Sequence, residues 1–462
     1  MSGRRSRSRA NAMLAIAGAA ALGATSVLVS TVDVKTILAE AALLANEGWI
    51  MSGTGVPDPT VGDYMSQVEN LYLQPFSTYD FHGLLTPEEF CPPICFPGPP
   101  GHPEWTNLNF GDSLNVGAQQ LDDAIVPQLE NGDNVVVFGY SQSAVIATME
   151  MQNLIENPPG GDFDPSNLHV VVIGSPNNPI GGMLDRFDFP NGLDGEPQHL
   201  PFLNVPLSIG PTPTDAFATD VYTATYDGWA NFPADPTNLL AVINALVGVQ
   251  TVHGLYPHPG TTLDIDNIVD LGTIGETHFY SIPAPLPLLA FLHDAGPAGQ
   301  FFYDAFAPGM ALGINWAYGN PGDPFVGVNG TDAIGPWQVN ASGELVESDV
   351  FGFFPKMDPL QMLAGMQYAG VQSFVGPINV LLDEAGQSPI PQSVVDSMLS
   401  GYNFTNELDQ LLLNSWSDLA ESLNLSDILG PDAIFDGAPL ISGEPLLALI
   451  GFGFDIFNFF GA

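Results

Sequence analysis

A serine flanked by small residues stands between an apolar segment and a helix-like one. Residues 135–138 are Val-Val-Val-Phe, which is typical of a buried strand, and a stretch rich in helix-forming residues begins at Ala144. The pattern between them is Gly-x-Ser-x-Ser, with Ser141 at its centre and Ser143 where glycine is more usual. A serine on a sharp strand-to-helix turn exposes its hydroxyl above the sheet edge. The pattern predicts a nucleophile at Ser141; the other interpretation is a serine that caps an ordinary helix.

A serine hydroxyl becomes a good nucleophile when an imidazole takes its proton and a carboxylate orients that imidazole. Residues 221–226 alternate as a strand does, and Asp227 follows them directly. His253 comes one predicted helix later, near glycines. The chain order Ser, Asp, His is the order of α/β-hydrolases. Other candidates remain open from the residues alone: His258, His278 and His293 for the base, and Asp215 and Asp220 for the carboxylate.

A glycine-rich loop, residues 52–57, follows the first predicted strand. Such a loop can aim backbone N–H groups into a site above the sheet. In an α/β-hydrolase it supplies one donor to the oxyanion, and the residue after the nucleophile supplies another. We therefore expect the oxyanion hole to be formed by Gln142 with Gly53 or Thr54. An ordinary Gly/Pro turn is the alternative.

Strands and helices alternate through residues 47–310. Helices are predicted near 63–71, 113–129, 144–150 and 238–246, and buried strands near 135–138 and 169–174. This alternation predicts an α/β-hydrolase-like three-layer sandwich with a mostly parallel central sheet. Residues 176–219, rich in Pro, Gly and Asp, are interpreted as a lid-like insertion over the site. Residues 311–462 are expected to be a loop-rich, then helical C-terminal extension that packs on the hydrolase domain.

The charge of the chain excludes several partners. Its 462 residues include 51 acids and 7 bases, a net charge of −44, and four of the bases are arginines among the first nine residues. Such a surface repels nucleic acid and anionic membranes. We expect no nucleic-acid partner, and the predicted chemistry needs no metal or cofactor. No protein partner can be identified from the sequence.

Residues 1–35 have the pattern of a signal peptide or an N-terminal membrane anchor. A basic segment precedes an apolar run over residues 12–29. Cleavage and retention are both compatible with this pattern, since the run is about as long as a minimal membrane span. The pattern predicts export, with membrane or cell-envelope association through this segment.

Two cysteines, Cys91 and Cys95, lie in a proline-rich loop. Outside the cytoplasm such an isolated close pair usually forms a disulfide, which is our expectation. The alternative is a metal site that adds His82 and His102 to the two sulfurs.

Several motifs together carry a resemblance to a known family. They are 53–57 (Gly-Thr-Gly-Val-Pro), 138–144 (Phe-Gly-Tyr-Ser-Gln-Ser-Ala), 211–215 (Pro-Thr-Pro-Thr-Asp), 226–233 (Tyr-Asp-Gly-Trp-Ala-Asn-Phe-Pro), 238–241 (Asn-Leu-Leu-Ala), 244–245 (Asn-Ala), 253–256 (His-Gly-Leu-Tyr), 280–283 (Tyr-Ser-Ile-Pro) and 286–289 (Leu-Pro-Leu-Leu). With these motifs in this order, the chain resembles the PE-PPE domain family of mycobacterial and related actinobacterial serine α/β-hydrolases, which are similar in fold to cutinases and lipases. The resemblance covers about residues 47–300. Asn231 stands where the family often has Asp, and residues beyond about 310 match no known pattern.

The resemblance implies Ser141, Asp227 and His253 as the catalytic triad and accepts serine at position 143. It also implies an acyl ester or lipid substrate and an esterase or lipase activity through an acyl-enzyme. An acyltransferase that builds envelope lipids is a second expectation, because both reactions share that intermediate. A non-catalytic cell-surface binding protein on the same scaffold is a third.

Overall fold

The structure is a computed structural model that describes residues 45–92, 94–193, 195–200, 204–260, 262–293, 295–318, 337, 345–347, 351–356, 358–430, 433–434 and 439–461, with side chains in the last range to residue 456. The predicted signal or anchor segment, residues 1–35, lies outside these ranges. Among the described residues, no helix combines the length and the apolar character that crossing a membrane requires.

A seven-stranded sheet lies at the centre of the fold. Its strands are β1 (Asn46–Ile50), β2 (Asp80–Gly83), β3 (Asn134–Tyr140), β4 (Leu168–Ile173), β7 (Ala218–Ala224), β8 (Val269–Ile274) and β9 (Thr277–Ile282). The order across the sheet is β2-β1-β3-β4-β7-β9-β8, and each pair is parallel except β8 with β9. The short strands β5 (His199–Leu200) and β6 (Val205–Pro206) form a separate antiparallel pair. This is the expected mostly parallel α/β sheet.

Helices cover both faces of this sheet. The helices between residues 45 and 318 are α1 (Tyr64–Tyr72), α2 (Phe110–Glu130), α3 (Gln142–Glu156), α4 (Met183–Arg186), α5 (Leu239–Thr251), α6 (Ala290–His293) and α7 (Gly296–Asn315). Successive residues of β3 point to opposite faces. Val135 and Val137 pack with α2 and α3, whereas Val136 and Phe138 pack with α1. Because both faces are buried, the strand is apolar throughout instead of alternating.

Helix α5 is longer than the sequence predicted. The expected end was near Leu246, with Gly248 in the following loop, but the helix continues through Gly248 to Thr251. A Cβ atom at Gly248 would lie 1.9 Å from the carbonyl oxygen of Tyr226. This glycine is therefore a site of close approach between helix and loop, and not a helix stop.

Two parts of the sheet edge were not predicted. β2 lies in a segment for which no strand was predicted, and β8 forms the antiparallel edge. β2 has only four residues, and neither strand contains a fully buried residue, so their apolar pattern is weak.

The C-terminal extension is mainly helical where it is described. It contains α8 (Pro359–Glu384), α9 (Gln392–Met398), α10 (Ser400–Ser422), α11 (Ser426–Leu429) and α12 (Glu444–Gly461), with β10 (Gly352–Pro355) paired to β11 (Pro439–Ser442). Helix α8 packs along α7. Asp455 of α12 accepts hydrogen bonds from the backbone N–H of Leu193 (3.0 Å) and from Gln198 Nε2 (2.7 Å). The extension therefore packs against both α7 and the insertion.

Candidate active site

Ser141 lies at the carboxyl end of β3, on a strained turn into α3. Its backbone dihedrals are φ 57° and ψ −114°, which a non-glycine residue rarely adopts. A Cβ atom at Gly139 would lie 2.6 Å from the carbonyl oxygen of Ser143, so only glycine lets strand and helix approach this closely. The turn is that of a nucleophile elbow.

Ser143 stands where the usual elbow pattern has its second glycine, and its hydroxyl group is hydrogen-bonded. Its buried hydroxyl accepts from the backbone N–H of Tyr140 at 2.8 Å and donates to the Tyr140 carbonyl at 3.1 Å. The side chain thus satisfies the hydrogen-bonding groups of the main chain just before Ser141.

The side chains of Ser141, His253 and Asp227 form one hydrogen-bonded row. His253 Nε2 lies 2.7 Å from Ser141 Oγ, and His253 Nδ1 lies 2.8 and 3.0 Å from the two carboxylate oxygens of Asp227. His253 begins a 3-10 turn just after α5, while Asp227 follows β7, so three separate segments meet here. Asp227 is fully buried and also accepts the backbone N–H of Trp229 at 3.0 Å. This arrangement can draw the proton from the serine hydroxyl.

Two buried tyrosines, for which no role was predicted, support this row. Tyr256 donates its hydroxyl to Asp227 Oδ2 at 2.8 Å and accepts the N–H of Ala224 at 2.7 Å. Tyr140 donates to the carbonyl oxygen of His253 at 2.6 Å. Burial, and then the nearby Asp227 charge, raise the pKa of both tyrosines above the usual range, so both remain donors. The spacing of three between His253 and Tyr256, one helical turn, is the signal that could have revealed Tyr256.

The glycine-rich loop borders the serine. A Cβ atom at Gly53 would lie 3.3 Å from Cβ of Ser141. Among the residues that the structure describes, no acceptor takes the backbone N–H of Thr54 or of Gln142. The N–H groups of Thr54 and Gln142, two of the predicted oxyanion-hole donors, therefore remain available as donors.

The side chain of Gln142 ties this loop to the elbow. Its Oε1 accepts from Thr54 Oγ1 at 2.7 Å, and its Nε2 donates to Ser113 Oγ at 2.8 Å and to the carbonyl of Glu89 at 3.1 Å. The residue is almost fully buried. Only the backbone N–H of Gln142 was predicted to have a role, yet its side-chain amide links three segments around the site.

A buried carboxyl group lies behind the glycine-rich loop. Glu88 is fully buried, its carbonyl accepts the N–H of Gly55 at 2.8 Å, and its side chain accepts the hydroxyl of Thr86 at 2.6 Å. Burial raises the pKa of Glu88 to about 8, against the smaller opposite effect of the Thr86 hydrogen bond.

The insertion at 176–219 supports the loop that carries Asp227. Arg186, one of three bases beyond residue 30, is buried and donates Nε to the carbonyl of Phe232 at 3.0 Å. The N–H of Met183 bonds the carbonyl of Trp229 at 2.8 Å. Burial lowers the pKa of Arg186 to about 10, so it remains charged at neutral pH. The later hairpin β5–β6 lies beside α2 and α3.

The other candidate bases lie away from Ser141. His258 is exposed and lies 3.8 Å from Asp63, and His278 lies on β9, where its Nε2 is 2.7 Å from Asp270. His293 ends α6 and packs edge-on against a tyrosine ring. The structure thus brings His253 alone of the four to the serine.

The other candidate carboxylates also lie outside the row. Asp220 is within β7 and bonds His169 at 2.9 Å. Asp215 is exposed and precedes that strand. Asp227 is the carboxylate that reaches His253.

Cys91 and Cys95 are joined in a disulfide. His82 pairs with Glu47 at 2.9 Å, and His102 stacks on Trp105. Because the disulfide uses both sulfurs, the alternative metal site is not supported. Among the described residues, no three His, Cys, Asp or Glu side chains converge as metal ligands would.

Comparison with known proteins places this site in a family context. The PE-PPE domain profile matches residues 77–319, more than half of the chain. PE family protein PE3 of Mycobacterium tuberculosis is 34% identical over 277 residues, which cover 58% of this chain and 54% of PE3. Esterase PE16 of the same organism is 41% identical over 211 residues, covering 45% of this chain and 36% of PE16.

A more distant relative is named for a transfer reaction. Diacyltrehalose acyltransferase Chp2 of Mycobacterium tuberculosis is 27% identical over 157 residues, covering 34% of this chain and 41% of Chp2. The chain thus spans about a third to a half of the length of these three relatives. The profile match extends from just before β2 to just after α7 and includes Ser141, Asp227 and His253. The chain belongs to the PE-PPE domain family.

Proposed function

We propose that this protein is an exported serine esterase that hydrolyses acyl esters, with Ser141 as nucleophile, His253 as base and Asp227 as its orienting carboxylate. The observation that carries the proposal is the continuous row from Ser141 Oγ through His253 to buried Asp227, with contacts of 2.7 and 2.8 Å. The name of Esterase PE16, a relative that shares the family, supports the same activity.

The geometry suggests the usual two-step reaction. Ser141 Oγ bonds to the ester carbonyl carbon while its proton passes to His253 Nε2. The negative oxygen is held by the N–H groups of Gln142 and of Gly53 or Thr54, each worth a few kcal/mol. The C–O bond to the leaving alcohol breaks as His253 returns the proton to that oxygen. Water then attacks the acyl-enzyme with the same assistance and releases the acid.

Labelling of the purified protein by a fluorophosphonate probe tests the nucleophile. We expect the wild type to be labelled and Ser141→Ala to be unlabelled, while Ser143→Ala, the neighbouring serine, keeps the label. An unlabelled wild type would favour a non-catalytic binding protein. A series of p-nitrophenyl esters of increasing chain length then measures hydrolysis and acyl preference.

Acyl transfer is the second candidate, because the relative Chp2 is named for it. The same acyl-enzyme would then react with a lipid or sugar hydroxyl in place of water. Incubation with an acyl donor and a hydroxyl acceptor distinguishes the two. Transferred ester as the main product favours the transferase, and free acid favours the esterase.

Export and envelope association are proposed from residues 1–35, whose basic and apolar segments fit a signal peptide or anchor. Fractionation of an actinobacterial host that expresses the full chain tests this. Recovery in the cytoplasmic fraction, with the N-terminus intact, would contradict the proposal.

A further inference from the structure

An apolar helix face without charge lies beside the serine site. Helix α5 contains no ionisable side chain. The residues on its inner side are buried, namely Ala241, Asn244, Ala245 and Gly248. The large residues on its outer side are between 41% and 68% exposed, namely Leu239, Leu240, Ile243 and Leu246. Exposed apolar side chains at helical spacing indicate a surface that another apolar phase covers.

Helix α7 extends this face. Phe302 and Phe306 are about half exposed, and their rings stack with centroids 6.4 Å apart. Gly313, seven residues after Phe306, lies on the same side of α7. A Cβ atom there would lie 4.0 Å from Leu240 Cδ2, and Asn238 Nδ2 donates to the Gly313 carbonyl at 2.8 Å. We call the exposed apolar side chains of these two contacting helices, Leu239, Leu240, Ile243, Leu246, Phe302 and Phe306, the apolar platform.

The platform is also free of charge on α7. Asp304 is the sole carboxylate of that helix. It points to α8, since a Cβ atom at Gly376 would lie 2.8 Å from its Cβ, and it accepts from Gln300 Nε2 at 2.6 Å. No ionisable group of α5 or α7 therefore interrupts the platform.

Helix α5, which carries most of the platform, leads directly to the proposed base. Helix α5 ends at Thr251, two residues before His253. Gly228, next to Asp227, packs against α5 so closely that a Cβ atom there would lie 2.2 Å from the carbonyl of Ala245. The Trp229 ring, half-buried, lies 6.5 Å from the His253 ring. The inner side of α5 thus packs on the Asp227 loop and its C-terminal end leads to His253, so the helix that carries the platform also contacts the segments that hold the proposed base and carboxylate.

The net charge of the chain indicates which kind of surface can bind to the platform. With a net charge of −44, two copies of the chain repel each other, and so do the chain and an anionic membrane. An uncharged lipid surface is not repelled and accepts leucine and phenylalanine side chains. Helix α10 offers a contrast, because its exposed leucines alternate with the acids Glu407, Asp418 and Glu421.

We propose that the apolar platform docks on the surface of an uncharged lipid phase, and that Ser141 acts on acyl esters held in that phase. The substrate half of this inference rests on the esterase function proposed above. The docking half rests on the exposed, charge-free face and on the charge of the chain, so the two halves can be tested separately.

Flotation with phosphatidylcholine vesicles tests docking without turnover. All proteins carry Ser141→Ala and the same residues 1–44. We expect Leu240→Gln/Ile243→Gln/Leu246→Gln to reduce the partition coefficient at least about tenfold, because three partly immersed aliphatic side chains are removed. The matched control is Leu411→Gln/Leu412→Gln/Leu419→Gln on α10, whose side chains are between 51% and 62% exposed. It should change partitioning less than twofold.

Three results would overturn docking at this site. One is an equal loss of vesicle binding in the α5 and α10 triple variants, and another is no loss of vesicle binding in the α5 variant. The third is a dimer, seen by light scattering, that the α5 substitutions dissociate, since the face would then join two copies. Adding phosphatidylglycerol to the vesicles at low salt should weaken binding, and stronger binding would contradict the charge argument.

Activity measurements test the substrate half. With Ser141 present, the ratio of activity on an emulsified triacylglycerol to activity on a soluble p-nitrophenyl ester should fall at least about fivefold in the α5 variant. Phe302→Ser/Phe306→Ser should lower the same ratio independently. An unchanged ratio in an active enzyme refutes the docking role alone. Absence of hydrolysis of every ester refutes the esterase function, while the flotation result still decides the docking.

Discussion

Replacing Tyr256 with phenylalanine removes one hydroxyl group from the buried side of the proposed triad. That hydroxyl donates to Asp227 Oδ2 at 2.8 Å and accepts the N–H of Ala224 at 2.7 Å, in a fully buried position. A hydrogen bond to a charged group contributes about 1.5–3 kcal/mol. If most of this orients the carboxylate for the imidazolium that forms during reaction, kcat should fall about ten- to hundredfold. KM should change little, because the hydroxyl does not face the substrate.

Tyr72→Phe is the matched control. Tyr72 is also buried, and its hydroxyl donates to the backbone carbonyl of Tyr256 at 2.9 Å without touching the triad. Both variants should lose about 1–3 kcal/mol of unfolding free energy, because each removes a buried hydrogen bond. Only Tyr256→Phe should also slow fluorophosphonate labelling and lower kcat on a soluble p-nitrophenyl ester. If the two variants lose stability equally and both keep kcat within twofold of wild type, Tyr256 does not position Asp227 and the reasoning is refuted.

Three further predictions concern the surroundings of the site. Since the pKa of buried Glu88 is raised from 4.5 to about 8, its folded form favours the proton, so stability is lost as pH rises through this window. In Glu88→Gln the free energy of unfolding should therefore depend less on pH. Measured by urea unfolding, the stability of the variant relative to wild type should rise by about 3 kcal/mol as the pH increases from 5 to 8. Parallel curves of unfolding free energy against pH for the two proteins would contradict the burial argument. Gly248→Ala should destabilise by several kcal/mol, because its Cβ would lie 1.9 Å from a carbonyl oxygen, whereas Gly370→Ala, with open space at its Cβ, should gain about 0.5–1 kcal/mol in thermal unfolding. If Gly248→Ala changes the free energy of unfolding less than Gly370→Ala does, the loop at Tyr226 moves aside at little energetic cost. Gln142→Leu should lower kcat about tenfold or more with KM nearly constant, because the glycine-rich loop loses its link to the elbow; a rise in KM alone would assign the side chain to substrate binding.

The local features of the site were predictable because short segments determine them. The apolar run before Ser141 makes a buried strand, and Gly139 and Ser143 are small because strand and helix nearly touch there. The helix spans before and after the elbow also follow from residue pattern. Strand β2 was missed because a short edge strand has a weak apolar pattern. The end of α5 was predicted too early because a glycine in the sequence is compatible both with a helix end and with a close packing contact inside a helix.

The sequence by itself determined the elbow, the order of its partners, the alternating α/β architecture and the acidic, nearly base-free surface. The residues themselves left the base open among four histidines, with His253 favoured by the family resemblance. The tertiary structure decided that His253, and not His258, His278 or His293, reaches Ser141, and that Tyr256 bonds Asp227. The reason is physical: the elbow depends on contacts between residues a few positions apart. The imidazole and the serine are 112 residues apart, and their distance depends on how β3, β7 and α5 pack around one sheet.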